Sequence, residues 1–155
     1  MLKDMKSVEK DRFGVLYLLS QEEPFRFKIR LQKLVVIART DPKINYQFSF
    51  KFVSYYYGPY SKDLQNFLGL LVREGMLVEK TEETRGERES SKVFSYSLTE
   101  NGWRYISEKM STEEYQLLSS KINSLWERFG SWNTSSLIKH AKEISGMESV
   151  ARNNS

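Results

Sequence analysis

From Ser61 to Gly75 the apolar residues Leu64, Phe67, Leu68, Leu71 and Val72 fall at i, i+3, i+4, i+7 and i+8, and then the period changes. The first spacing lines one face of an α-helix. Met76-Leu77-Val78-Glu79-Lys80 and Val93-Phe94-Ser95-Tyr96-Ser97-Leu98 have strand character instead. The polar stretch TEETRGERESSK between them, with Gly86 inside it, predicts an exposed hairpin loop. Ser61 is placed to cap the start of the helix and Gly75 to close it. A helix that runs directly into a two-stranded hairpin leaves few architectures open.

Other elements follow from the same reasoning. Val8, Arg12, Val15, Leu16 and Leu19 share one side of a helix over roughly 8–20. Pro24 marks a break, and a second helix is expected over about 25–40, with Phe27, Leu31, Leu34, Val35 and Ala38 on one face. Asp41-Pro42 ends it. Tyr46, Phe48, Phe50 and Phe52 alternate with Gln47, Ser49 and Lys51, which predicts a strand with one buried face. Residues 53–57, including Tyr55-Tyr56-Tyr57, fit either strand or a short helix. Beyond Thr99 a further helix begins, Ser111-Thr112-Glu113-Glu114 has capping-box spacing for the next, and Leu137, Ile138, Ala141 and Ile144 mark a last one. The expectation is a mostly helical α+β protein. Its second and third helices lead into a two-stranded wing, the winged helix-turn-helix layout, with additional helices at the C-terminus. A winged-helix domain over 1–110 would carry a helical extension over 111–150, which packs on it or forms a dimer interface, and a disordered tail over 151–155.

Several function classes are excluded or disfavoured. The chain has no cysteine and a single histidine, His140, so thiolate zinc sites and His-clustered metal sites are impossible. No glycine-rich phosphate loop or nucleophile-elbow pattern is present, Glu113-Glu114 suits the first turn of a helix, and His140 fits a surface helix; no cofactor or enzyme activity is expected. The start, MLKDMKSVEKDR, mixes both signs of charge without an apolar run, and the longest apolar segment near it, Phe13–Leu19, is too short to cross a bilayer. A cytoplasmic protein is expected. Net charge is +4, and the excess is confined to residues 25–51, where seven basic residues face Asp41 alone. Such a block attracts polyanions, although a solvated basic helix would look the same.

The phrase GPYSKDLQNFLGLLVREGMLVEK followed by YSLTENG resembles winged-helix proteins, and this second half is similar to regulators of the PadR and MarR type. RLQKLVVIA ahead of YYYGPYSKDL resembles YwgA-like and Panacea (SocA antitoxin-type) proteins, in which "LQKL" precedes an aromatic-Gly-Pro turn. The likeness covers roughly residues 26–103. It implies binding of double-stranded DNA by a transcription regulator that, like PadR-type proteins, dimerises through C-terminal helices. The Panacea likeness implies the alternative, a module that holds a protein partner.

In the DNA reading the third helix enters the major groove, with Ser61, Lys62, Gln65 and Asn66 toward base edges. Arg26, Arg30 and Lys33, on one flank of the second helix, would contact phosphates, and Tyr57 and Tyr60 would border a groove. Arg85, Arg88 and Lys92 on the wing would reach the backbone, although Glu82, Glu83, Glu87 and Glu89 share that loop and suit a protein partner better. The aromatic stretch Phe48–Tyr55 matches only part of an RNA-binding strand pattern and lacks its basic-Gly start. Phe48, Phe50 and Phe52 are therefore expected to fill the core against the first two helices.

Overall fold

The computed structural model describes residues 5–85 and 90–150. Its element order is α1 (Met5–Leu19), β1 (Phe25–Arg26), α2 (Lys28–Thr40), β2 (Val53–Tyr55), β3 (Gly58–Tyr60), α3 (Lys62–Arg73), β4 (Leu77–Arg85), β5 (Ser90–Leu98), α4 (Glu100–Lys109), α5 (Glu113–Phe129) and α6 (Thr134–Ser145). The fold is α+β and mostly helical. Strands β1, β5 and β4 form one antiparallel sheet in that order, and β2 and β3 form a separate hairpin. Among the described residues no helix is long and apolar enough to cross a membrane.

Helix α2 starts later than its periodicity predicts. Phe25 and Arg26 pair with Tyr96 and Ser95 of β5, and Phe27 turns the chain at φ 76° before the helix begins. α2 then lies at the centre of the molecule, with Arg30 through Ala38 all buried, packed against α5 and α6. Both C-terminal helices lie on the rest of the chain: α5 contacts α1, α6 contacts β3, and Ile122, Leu125, Phe129, Leu137 and Ala141 join the common core.

Residues 46–52 keep the burial alternation of a strand but not its ladder. Tyr46, Phe48, Phe50 and Phe52 are buried and belong to the core, as expected of core fillers. Tyr46 N and Phe48 N donate to the Ala38 and Tyr46 carbonyls, and from Ser49 to Lys51 side chains, rather than a neighbouring strand, satisfy the backbone. Ser49 N donates to Asp11 Oδ1 at 2.9 Å, Lys51 N to Asp63 Oδ2 at 3.1 Å, and the Phe50 carbonyl accepts from Arg39 Nη1. The rings of Tyr46, Phe48, Phe50 and Phe67 follow one another in contact, at centroid distances between 4.3 and 5.8 Å. Gly14 on α1 admits them; a Cβ there would lie 2.5 Å from Phe48 and 2.7 Å from Tyr46.

The hairpin of β4 and β5 is longer than the sequence predicts. Residues 81–85 and 90–92, expected in the loop, continue the strands, and the register sets Glu83 opposite Lys92. Opposite charges facing each other across a ladder favour that pairing. Two helix starts match expectation. Ser61 Oγ accepts from Leu64 N at 3.1 Å, and Thr99 Oγ1 from Gly102 N at 3.1 Å. The capping box at 111–114 does not form. The Ser111 and Thr112 hydroxyls donate back to the Glu108 and Lys109 carbonyls, so they close α4 instead of capping α5. His140 is half-buried: its ring lies against Phe129 and Trp132, with centroids 5.1 and 5.4 Å away. The predicted tail over 151–155 lies outside the described residues.

Candidate functional site

Residues 53–57 resolve to strand and turn. Val53–Tyr55 pairs with Gly58–Tyr60 across a tight turn at Tyr56-Tyr57. Gly58 is required there twice over, since its φ is +89° and a Cβ would press to 2.8 Å from Lys142 Cγ of α6. The turn holds aromatic surface out of the core: Tyr55, Tyr56 and Tyr57 are 43%, 38% and 53% exposed. Tyr55 stacks on both Tyr56 and Tyr60, at 4.3 and 4.9 Å between centroids, so the rings form one continuous platform. Behind it, the Tyr55 carbonyl accepts from Val150 N at 2.8 Å, which fastens the hairpin to the end of the described chain.

Between this platform and α2 lies a cleft of about 300 Å³. α2 contributes Lys28, Ile29, Gln32 and Lys33, one helical face at i, i+1, i+4 and i+5; the hairpin contributes Tyr55, Tyr56, Tyr57 and Tyr60; α3 contributes Gln65. Gln32 is a structural strut. Its Nε2 donates to the Ser61 carbonyl and its Oε1 accepts from Ser61 N, both at 2.8 Å, which couples α2 to the first residue before α3. Lys33 is 2% exposed, and its Nζ donates to the Pro59 carbonyl at 2.7 Å. Burial, with the Lys142 charge nearby, pushes this ammonium down to about 8. Burial and the adjacent Tyr55 raise the Tyr60 phenol.

The cations expected together on one flank of the second helix are dispersed in the fold: Arg26 lies in β1, ahead of α2, and Arg30 and Lys33 are buried. Arg30 is buried, donates to Gly130 O at 2.7 Å and to Glu22 Oε2 at 2.5 Å, and lies over the rings of Phe25 and Trp126. Lys33 is inside, as above. Only Arg26 is exposed, and it pairs with Glu82 Oε2 of β4 at 2.9 Å. The local charge excess therefore stays close to its own carboxylates and carbonyls, because a helix buried on several sides turns even its polar flank inward.

The remaining expected residues separate into two groups. Tyr57, Tyr60 and Gln65 line the cleft, and Ser61 is fully buried as the cap of α3. Lys62 and Asn66 are exposed on α3 outside the cleft lining, and Arg73, further along the helix, shares their side. Asp63, which would repel phosphate, instead holds the Lys51 amide. Lys92 is exposed on β5. The side chain of Arg85, and Arg88 altogether, lie outside the described residues. Lys28, Gln32, Tyr55 and Tyr56 were not expected at a site. Lys28 and Gln32 do stand at i, i+4 with Lys33 beside them, a face that could be read from the sequence; nothing in it tells that the hairpin would cover that face.

No protein-family model matches the chain, and no curated protein matches it.

Proposed function

We propose that this chain is a winged-helix-type module for docking another protein, and that an extended segment of the partner binds in the tyrosine-lined cleft. The observation that carries this reading is the hairpin turn of Tyr55, Tyr56 and Tyr57, exposed next to the stack of Tyr55 on Tyr56 and Tyr60 and beside a cleft whose described lining has two lysines and no acid. Exposed aromatic surface of this kind marks interaction sites, and tyrosine is among the residues that dominate interface energies. The sheet order β1-β5-β4, with α2 and α3 ahead of the hairpin, supports the winged-helix part. The resemblance to YwgA-like and Panacea proteins leads to the same expectation. The test is selection of a displayed library of random twelve-residue peptides on the full chain, with a Tyr55→Ala/Tyr57→Ala variant in parallel. Enrichment on the wild type that the variant loses supports docking at the cleft; equal enrichment on both would refute it.

A second reading, DNA-binding regulation, is favoured by the outward face of α3, where Lys62, Asn66 and Arg73 are exposed on the helix that enters the major groove in winged-helix proteins. Two observations oppose it. Arg30 and Lys33 are interior, and Glu82 and Glu83 are exposed on β4. Fluorescence anisotropy with mixed duplex over a salt series tests it, since each phosphate contact adds about −0.9 to the slope of log K against log salt. A slope of several units that shrinks in a Lys62→Ala/Arg73→Ala variant would favour this reading.

A further inference from the structure

The cleft contains a charge that its own lining does not neutralise. An ammonium carries three donors, and Lys33 Nζ has one hydrogen-bond acceptor among the described residues, the Pro59 carbonyl. Lys142 approaches from α6 beside Gly58, whereas the Lys28 ammonium at the cleft edge lies over the Phe94 ring and 4.0 Å from Glu79 Oε1. Lys33 thus has a second positive charge, Lys142, near it, and none of the described lining residues of the cleft is acidic. A buried ammonium without a counter-charge destabilises the fold. A carboxylate delivered from outside would remove that cost and meet the free donors.

Resting on the docking reading, we infer that the cleft recognises an acidic side chain, Asp or Glu, within the partner segment, its carboxylate on Lys33 Nζ and its apolar or aromatic neighbour on the rings of Tyr55, Tyr57 and Tyr60. Size and donor type select this occupant. At about 300 Å³ the cleft lies at the small end of ligand sites and suits one or two side chains. Chain termini are captured by successive backbone N–H groups, whereas here the donor is a point charge on a side chain, suited to a single carboxylate. The tyrosines add flat apolar area next to that charge at little conformational cost, since each has only two rotatable side-chain bonds. The ammonium is charged at neutral pH, so the pairing needs no proton transfer.

The test extends the peptide selection on the full chain. Peptides enriched on the wild type are resynthesised with their acidic residue as Glu or as Gln, and both forms are titrated against wild type and Lys33→Met. The expected result is at least about tenfold weaker binding of the Gln form to the wild type, the scale of a charge-assisted hydrogen bond, and no such difference in Lys33→Met. Glu and Gln forms that bind the wild type alike, with binding still lost in Tyr57→Ala, would overturn the acidic anchor while the docking reading stands. Enrichment indifferent to both Lys33 and Tyr57 would overturn the two together. The Glu-to-Gln comparison on the wild type keeps the result decisive even if Lys33→Met folds poorly.

Discussion

Replacing Lys33 by Met gives the sharpest stability prediction. Lys33 is 2% exposed, and its ammonium is held down from 10.5 to about 8. At about 1.4 kcal/mol per pKa unit, keeping this charge in the folded state costs about 3 kcal/mol at neutral pH. Methionine removes the cost but leaves the Pro59 carbonyl without its partner, a loss of about 1–2 kcal/mol. Lys33→Met should therefore be more stable than wild type at pH 7, by about 1–2 kcal/mol. Direction with pH follows from proton binding. Between pH 8 and 10.5 the unfolded lysine holds a proton that the folded one has released, so wild-type stability gains in that window relative to the variant. The difference should move by about 3 kcal/mol and reverse sign between about pH 9 and pH 10. Every other titratable group is common to both proteins, so its contribution cancels in the difference. Urea denaturation of both at half-unit steps from pH 6.5 to 10.5 measures it. A difference independent of pH would refute the desolvated lysine, and with it the unneutralised charge in the cleft.

Other substitutions test the frame around the cleft. Gln32→Ala leaves Ser61 N–H and C=O without their buried partners and should cost about 2–4 kcal/mol in chemical denaturation; a loss under about 0.5 kcal/mol would mean that water replaces the amide. Gly14→Ala drives a methyl into Phe48 and Tyr46 and should destabilise by about 1–3 kcal/mol, despite the better helix propensity of Ala. Tyr57→Ala, at an exposed turn, should leave the thermal midpoint nearly unchanged while peptide binding falls; a large drop in the midpoint would show that the ring is structural. Lys62→Ala/Arg73→Ala should leave peptide binding unaltered, because neither residue lines the cleft; weakened peptide binding would extend the docking surface past it.

Much of the architecture is legible in the residues. The helix at Leu64–Val72 and the strands on either side of Gly86 follow from a change in apolar period, Ser61 is a cap by residue type and place, and the helix after Thr99 starts where expected. The stretch at 46–52 shows where periodicity stops. Burial of alternate residues is a property of the local chain, whereas pairing depends on a neighbour, and here Asp11, Asp63 and Arg39 from distant segments supply the hydrogen bonds. Charge misleads for a related reason. Seven cations in a run look like a surface field, but Arg30 and Lys33 turn inward because α5, α6 and the hairpin cover the helix that carries them. The cleft itself joins residues from three elements far apart in sequence. Its tyrosines and lysines are visible as residue types; that they meet is a consequence of tertiary packing.

Amide chemical-shift mapping of the full chain, titrated separately with an enriched peptide and with mixed-sequence duplex DNA at physiological salt, tests the central claim most directly. Docking at the cleft predicts that the peptide moves resonances of residues 28–33 and 55–60 and that the duplex moves few. Shifts caused by the duplex along Lys62, Asn66, Gly69 and Arg73, with none from the peptide in the cleft, would contradict it.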